Sequence, residues 1–372
     1  MGNLGITVQY TDLHAENESM KLSLHRQLDG LILDSNYLGR AATDKFEQHF
    51  KFRLDQDRAP HVVPTSSGSM ALLIALVSAG IRPGDEVITV ANSFIATAEA
   101  IHHAGAKPIF VDVTESGHID TNLIADAITE RTKAILSVDM HGIPCDFVAL
   151  RAIAKKHDLI WISDGAQSYG SKCNNRSSLT YADASCVSFS PVKTLGALGD
   201  AGAIVTTNKE LADAARLLTD HCRGNYTSHV IGYNARMDGF QARVLTEKMH
   251  HASSWQETRN KNAERYINQL RGVIRTPAMP SHSSLYNWHI FAVQSPRRDS
   301  LQSYLADHGI ETKIHYPDPM YKMIPFVHLS DDFPNTERFC NQTLSLPIRH
   351  TLKKSEQDYI IDHIRYWSAC ND

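Results

Sequence analysis

Short apolar runs alternate with amphipathic stretches between about residue 60 and residue 215. The runs read HVVPTS, DEVITV, KPIFVDV, KAILSVD, LIWISDG, SCVSFS and AGAIVTT. Between them, stretches such as SMALLIALVSAG and HIDTNLIADAITE place apolar residues at i, i+3, i+4 and i+7, the spacing of one helix face. Apolar strands that alternate with helices predict an α/β fold, with a mostly parallel sheet covered by helices on both faces. Ligands of such sheets bind at the carboxyl ends of the strands.

The pattern changes on both sides of this region. We expect the first ~45 residues to pack as a helical lead-in. Beyond residue 240, QARVLTEKMHHASSWQETRNKNAERYINQLRG predicts one long helix closed by Gly272. Strand-like IFAVQS, a helix around SLQSYLADHG, strand-like ETKIHYP and a final helix SEQDYIIDHIRYW follow. We therefore predict a lead-in and large ligand-binding domain over residues 1–245, and a smaller α+β domain over residues 246–372.

Composition and charge exclude several functions. The 37 basic and 41 acidic side chains give a net charge of −4, so the sequence shows no electrostatic case for nucleic-acid binding. No apolar run approaches the ~20 residues that span a bilayer, and the first residues lack the order of a secretion signal, so we expect a cytoplasmic protein. The six cysteines form no CxxC motif and are expected to be reduced, and the 20 histidines show no metal-ligand spacing.

The stretch TSSGSMALLIAL at 65–76 is a candidate phosphate site. A Ser/Gly-rich turn follows a strand and opens a helix whose first amides lie unpaired, and such a terminus attracts anions. Gly68 permits close approach of the backbone, and Ser69 offers a hydroxyl. Taken alone, the turn is equally well an ordinary helix cap.

The stretch LIWISDGAQSYGS places Asp164 at the carboxyl end of a buried strand, with Gln167 three residues later. A buried carboxylate is costly unless it pairs with a cation, and a protonated pyridine nitrogen is one such cation. Taken alone, Asp164 is more often a helix cap.

The stretch SCVSFSPVKTLGALGDAGA holds Lys193 on a turn after a strand. Its glycines follow a turn and precede a strand, which is the wrong order for a dinucleotide fingerprint. A lysine that forms a Schiff base needs burial or a cationic neighbour to lower its pKa. Ser188 and Ser190 add hydroxyls for a phosphate, although a solvated loop lysine is the better interpretation of this stretch in isolation.

The three stretches occur in one order and at the same kind of strand end. Together they supply a phosphate site, a partner for a ring nitrogen and an amine for an aldehyde, which predicts pyridoxal 5′-phosphate as cofactor. The set resembles the DegT-type (DegT/DnrJ/StrS) nucleotide-sugar aminotransferases, a branch of the fold-type-I pyridoxal phosphate enzymes. The matching stretches cover most of the chain and include SNYLGRAATDKFEQHF, ANSFIATAEAI, SVDMHGIPCD, IGYNARMDGFQARVL, IHYPDPMY and LSLPIRH.

The resemblance implies a role for each matching position. Lys193 would form the Schiff base with the cofactor and shuttle the proton, and Asp164 would pair with the pyridine nitrogen. Gln167 would bond the ring hydroxyl, and Phe94 would stack on the ring face. The phosphate would be held by Gly68, Ser69 and Ser188.

Asn234, in GYNARM, is similar to a family asparagine that reaches the phosphate bound by the neighbouring subunit. The resemblance therefore implies a homodimer with shared active sites.

Departures from the family pattern concern the substrate pocket. The usual HLYG reads DMHG, with His141 where an aromatic residue is common. The HYPxPxH pattern begins with His315 and Tyr316 but ends in Tyr321. These positions are expected to line the sugar pocket.

The expected reaction moves the amino group of L-glutamate to a keto-sugar carried on a nucleoside diphosphate. LGALGDAGA resembles members that act on 3-keto sugars; a 4-keto sugar, a sugar aldehyde or a keto-cyclitol is the alternative. Arg223, Arg236 and Arg349 are candidates for the diphosphate or the donor carboxylate, and equally for ordinary ion pairs. Rival functions are a dehydratase, a regulator on the same fold and a nicotinamide-dependent oxidoreductase; Lys193 argues against the dehydratase.

Overall fold

Seven strands form the central sheet of the computed structural model, which describes residues 7–38, 40–58, 60–224, 231–329 and 332–371. Every apolar run of the sequence analysis overlaps one of these strands, which confirms the predicted fold class. The strands are β1 (His61–Thr65), β2 (Glu86–Val90), β3 (Lys107–Val111), β4 (Thr132–Val138), β5 (Ile160–Asp164), β8 (Ala184–Ser188) and β9 (Gly202–Thr206). A small separate hairpin consists of β6 (Lys172–Cys173) and β7 (Arg176–Ser177).

The sheet order is β1-β9-β8-β5-β4-β2-β3, and every strand except β9 runs in the same direction. The carboxyl ends of β1, β2, β4, β5 and β8 therefore open at one edge of the sheet. Because β9 runs antiparallel, its first residue, Gly202, lies at that same edge. The topology brings together the turns that carry the candidate residues.

Helices cover the sheet and build the rest of the molecule. The predicted helical lead-in is present as α1 and α2, with residues 1–6 and 39 outside the described residues. The helices are α1 (Leu13–Asp34), α2 (Arg40–Phe52), α3 (Gly68–Ser78), α4 (Ala96–His103), α5 (Thr121–Ile124), α6 (Phe147–Lys156), α7 (Lys209–Thr219), α8 (Gly239–Met249), α9 (Ala252–Leu270), α10 (Arg298–Asp307), α11 (Pro334–Gln342) and α12 (Lys354–Ala369).

The C-terminal region differs from the prediction in two places. The expected long helix is two helices, because the chain turns at His250 and His251 between α8 and α9. The expected strand ETKIHYP is absent; Lys313 makes only an isolated bridge to Ser345. A strand that the pattern missed, β11 (Thr343–Leu346), instead pairs antiparallel with β10 (Phe291–Gln294). The boundary predicted between residues 245 and 246 falls inside α8, and the division into two domains stays a prediction.

Among the described residues, no helix is long and apolar enough to cross a membrane, and no group of His, Cys, Asp and Glu side chains is arranged to hold a metal ion. All six cysteines are free, and four of them are buried.

Candidate active site

The turn from β1 to α3 meets the end of β8 at the edge of the sheet. A Cβ built on Gly68 would lie 2.6 Å from the Cβ of Ser188, so only glycine permits this approach. Ser67 caps α3 by accepting a hydrogen bond from the Met70 amide (3.1 Å), and Ser69 is exposed at the first turn. This corner has the free amides, the helix terminus and the hydroxyls that a phosphate group requires.

The glycine run after Lys193 packs against the same corner of the sheet edge. A Cβ on Gly202 would lie 2.4 Å from the carbonyl oxygen of Ser67, so glycine is needed where β9 begins beside the turn. A Cβ on Gly196 would lie 2.3 Å from the carbonyl oxygen of Pro191, within the turn that carries the lysine. The glycines are therefore packing positions and form no dinucleotide fingerprint.

Asp164 ends β5 and is buried. Its carboxylate accepts hydrogen bonds from the Thr97 hydroxyl (2.8 Å) and the Ala166 amide (3.2 Å). Burial raises the pKa of Asp164, while the two hydrogen bonds and the charge of Lys193 act in the opposite direction. A carboxylate in this setting favours a cationic partner, such as a protonated ring nitrogen.

Lys193 follows β8 on a turn that is held by its own amide, which donates to the carbonyl of Ser190 (2.9 Å). Burial lowers the pKa of Lys193 to about 8, against the opposing attraction of Asp164. A substantial fraction of the amine is therefore neutral near physiological pH, as a nucleophile for an aldehyde must be.

Gln167 and Phe94 lie near Asp164 but have further partners. The Gln167 side-chain oxygen accepts from the His141 amide (2.7 Å), and its side chain is hydrogen-bonded to the Tyr316 hydroxyl. Burial raises the pKa of the Tyr316 hydroxyl, and the charge of Asp164 raises it further. Tyr316 therefore lies close to both Gln167 and Asp164. The Phe94 ring is 55 % exposed, and its centroid lies 5.9 Å from that of Tyr316.

The other predicted substrate residues differ in position. His315 lines a cavity together with Lys193, and its Nδ1 is hydrogen-bonded to the Ser345 hydroxyl (2.8 Å). His141 is buried, with its ring stacked on Phe339 and its Nε2 3.3 Å from the carbonyl of His315. His141 therefore contacts the backbone of His315 and is itself buried.

Tyr321 does not lie beside Lys193. It is buried in an apolar cluster, where its ring packs on Phe333 and its hydroxyl donates to Glu337 (3.1 Å). Within its own chain, Tyr321 is thus a packing position.

The three candidate arginines are paired within the chain. Arg236 and Arg223 contact Asp220 at 2.8 and 3.5 Å, and Arg349 contacts Glu356 at 3.1 Å. Their role toward the diphosphate or the donor carboxylate stays a prediction. Asn234, beside Arg236, is exposed on the surface of its own chain.

Three residues at this edge of the sheet were not predicted from the sequence. Thr97 stands three positions after Phe94 on the first turn of α4 and bonds Asp164. The Asn287 side chain donates to the Gln167 carbonyl (2.9 Å) and the Thr194 hydroxyl (2.8 Å). His289 lines the cavity with Lys193 and has a pKa well below its usual value, because of burial and the charge of Lys193. Of these three residues, only Thr97 could have been found from the sequence, because it lies three positions after the candidate residue Phe94.

A further carboxyl group, which was not predicted from the sequence, lies next to Asp164 on the neighbouring strand end. Asp139 follows β4, and its amide donates to the Asp164 carbonyl (3.1 Å). The residue is 0 % exposed, one carboxyl oxygen accepts from the Cys145 amide (3.3 Å), and the Ser168 side chain also stabilises the ionised form. Burial, with the Asp164 charge adding to it, raises the pKa of Asp139 to about 7.

Comparison with known proteins agrees with this geometry. The model of the DegT/DnrJ/EryC1/StrS aminotransferase family matches residues 32–365. A "Pleiotropic regulatory protein" of Geobacillus stearothermophilus is 36% identical, over 96% of this chain and 98% of its own. The dTDP-3-amino-3,4,6-trideoxy-alpha-D-glucose transaminase of Streptomyces venezuelae is 35% identical, over 97% of this chain and 96% of its own.

A solved structure shows the same architecture. DesV of S. venezuelae, crystallised in complex with a ketimine intermediate, superposes with a TM-score of 0.92 at 34% identity, over 97% of this chain and 98% of that chain. The family match spans most of the described residues, from α1 to α12. The chain therefore belongs to the DegT/DnrJ/EryC1/StrS aminotransferase family.

Proposed function

We propose that this chain moves the amino group of L-glutamate to carbon 3 of a keto-sugar carried on a nucleoside diphosphate. As a member of its family, it is a sugar aminotransferase that depends on pyridoxal phosphate. The observation that carries the proposal is the position of Lys193, whose lowered pKa and proximity to Asp164 suit Schiff-base chemistry. The carbon-3 assignment is supported by the LGALGDAGA stretch and by the 3-amino product in the name of the S. venezuelae transaminase.

The residues at the sheet edge fit the cofactor. Gly68, Ser69 and Ser188 would hold its phosphate at the corner that an added Cβ would fill. Asp164 would pair with its ring nitrogen, and Gln167 with its ring hydroxyl. When bound, pyridoxal phosphate supplies an aldehyde that carries the amino group and a ring that accepts electrons.

Residues of the chain then transfer the protons and stabilise the charge. The neutral amine of Lys193 takes the proton from the donor's α-carbon and returns a proton in the second half of the reaction, when the sugar carbon receives the amine. Asp164 would present its carboxylate to the ring nitrogen, and Thr97 and the Ala166 amide stabilise its ionised form against the effect of burial. Packing of Phe94 against Tyr316 limits access of water from that side.

We also propose a homodimer that acts in the cytoplasm and shares its active sites. Large apolar side chains stand exposed on α1, including Leu22 and Leu33, and Ile231 is 88 % exposed close to Asn234. Apolar surface of this extent favours a second copy of the chain as partner. Asn234 points away from its own core, as a residue that completes a neighbour's site must.

The reaction is tested by spectroscopy and by product analysis. Adding L-glutamate to the purified, cofactor-loaded protein should bleach its yellow band, and a nucleotide-linked 3-keto sugar should restore it. Mass and NMR analysis of the product from a panel of 3-keto and 4-keto sugars, sugar aldehydes and keto-cyclitols then identifies the aminated carbon. A band that L-glutamate leaves unchanged contradicts the proposed donor, and amination of the 4-keto sugar alone contradicts the carbon-3 assignment.

The shared site is tested by complementation. Lys193→Ala and Asn234→Ala should each be inactive as a homodimer. When the two variants are mixed, unfolded and refolded, each mixed dimer contains one complete site, and activity should return. A mixture that stays inactive, with dimers shown by light scattering, contradicts the shared site.

A further inference from the structure

The cavity that contains Lys193 extends toward the C-terminal part of the chain. Arg259 on α9, Lys313, His289 and His315 line it, together with residues around the start of α1. Because Lys193 lines this space, a group bound here lies close to the proposed reacting centre.

Arg259 is a buried cation without a direct ion pair to a carboxylate in the described part of the chain; burial lowers its pKa, and the nearby charge of Glu16 offsets this only in part. Only 7 % of the residue is exposed. Its Nη1 makes a long hydrogen bond to the Ile348 carbonyl (3.5 Å), and its Nε has no hydrogen-bond partner among the residues that the structure describes. A buried guanidinium is costly without an anion, so this position favours a ligand with negative charge.

The acidic side chains of the cavity are already engaged. Glu16 forms an ion pair with Lys248 at 2.7 Å, and Asp12 caps α1 by accepting from the Ala15 amide (2.9 Å). Arg349, which also lines the cavity, is neutralised by Glu356 on α12. Arg259 therefore shares Glu16 with Lys248 and has no carboxylate of its own among the described residues.

The remaining cavity residues add a second cation and no anion. The ammonium of exposed Lys313 lies 5.2 Å from the centre of the Tyr10 ring, at the cavity wall. Burial and nearby cations lower the pKa of His315 to about 4 and that of His350 to about 3, so both rings are neutral. They offer hydrogen bonds to a ligand without adding charge.

We propose that Arg259 binds one carboxylate of the amino donor and Lys313 the other, which makes this cavity selective for dicarboxylic amino acids. The inference rests on the proposed function and identifies the donor site within it. It replaces Arg223, Arg236 and Arg349, whose guanidinium groups are already paired, with residues that the sequence analysis did not select.

Binding is measured first without catalysis. Isothermal titration of the protein with glutarate, a dicarboxylate that lacks an amine, should show binding that Arg259→Gln weakens about 100-fold, the scale of a buried charge-assisted pair. Arg259→Lys should retain part of the affinity. Arg265→Gln is the matched control, because Arg265 lies on the same helix, pairs with Asp358 outside the cavity and should leave binding unchanged.

The second carboxylate is tested with butyrate, which has only one. Wild-type protein should prefer glutarate to butyrate, and Lys313→Gln should abolish this preference while the protein melts as the wild type does. This variant also keeps the proposal testable if Arg259→Gln does not fold. Equal affinity of wild type and Arg259→Gln for glutarate, or a preference that survives Lys313→Gln, overturns the proposal.

The half-reaction separates this proposal from the function on which it rests. If L-glutamate bleaches the cofactor band and Arg259→Gln raises the KM for glutamate about 100-fold without changing that for the sugar, both stand. If L-glutamate reacts with wild type and with Arg259→Gln at the same KM, the donor site is wrong and the function stands. If wild type binds glutarate but L-glutamate never bleaches the band, the proposed donor reaction is wrong and the site stands.

Discussion

Replacing Asp139 by asparagine should stabilise the protein in a way that depends on pH. The Asp139 carboxyl is wholly buried, the Cys145 amide and the Ser168 side chain offset the effect of burial only in part, and its pKa in the folded protein is about 7. In the unfolded chain an aspartate has a pKa near 3.9. Because the folded state holds the proton more tightly, the stability of the wild type falls as the pH rises from the unfolded value through the folded value.

The magnitude follows from these two pKa values. Between about pH 5.5 and about pH 8.5, the wild type should lose about 2 kcal/mol through this group, at about 1.4 kcal/mol for each pH unit up to the folded pKa. Asparagine has the same shape, can still accept from the Cys145 amide and does not titrate in this range. The free energy of unfolding of Asp139→Asn minus that of the wild type should therefore be about 2 kcal/mol larger at about pH 8.5 than at about pH 5.5, so the variant is relatively more stable at the higher pH.

The assay is urea unfolding at both pH values, followed by tryptophan fluorescence. Asp112→Asn is a control, since Asp112 is a buried carboxylate whose oxygens accept from the Asn335 and Thr336 amides and the Thr336 hydroxyl. It should destabilise the protein instead of stabilising it. A difference between Asp139→Asn and wild type that is the same at both pH values refutes the reasoning.

Three further predictions follow from the site. Asp164→Asn should leave the cofactor bound but lower kcat at least ~100-fold, because the ring loses its preorganised negative partner; stopped-flow absorbance measures this. Gly68→Ala should weaken cofactor affinity at least ~10-fold, since the added methyl would displace Ser188, and fluorescence titration with pyridoxal phosphate detects it. The rate at which cofactor-free protein takes up pyridoxal phosphate should rise with a midpoint near pH 8, because Lys193 must be neutral to react; a midpoint above pH 10 contradicts the lowered pKa.

The sheet could be predicted because its strands are short, apolar and separated by helices. The sequence did not reveal that β9 runs antiparallel, since a buried strand looks the same in either direction. The break at His250 was hidden because the apolar pattern continues through it. The strand β11 was missed because TLSL is only four residues long, whereas ETKIHYP has a strand-like alternation but makes an isolated bridge.

The candidate site, like the fold, could be predicted from the sequence only in part. Gly68, Asp164, Ser188 and Lys193 lie at strand ends, where the chain order alone predicts that they converge. Arg259 lies on a helix almost seventy residues beyond Lys193, and nothing in its local sequence separates it from the paired arginines. Its significance depends on burial and on the absence of a carboxylate partner among the described residues, which only the three-dimensional arrangement shows.

The most direct test of the account is to locate the lysine that carries the cofactor. Borohydride reduction of the yellow protein, followed by proteolysis and mass spectrometry, should place the pyridoxyl group on the peptide that contains Lys193. Lys193→Ala should give no such adduct. A stable adduct on a different lysine, or none in the wild type, would contradict the central claim that Lys193 forms the bond to the cofactor.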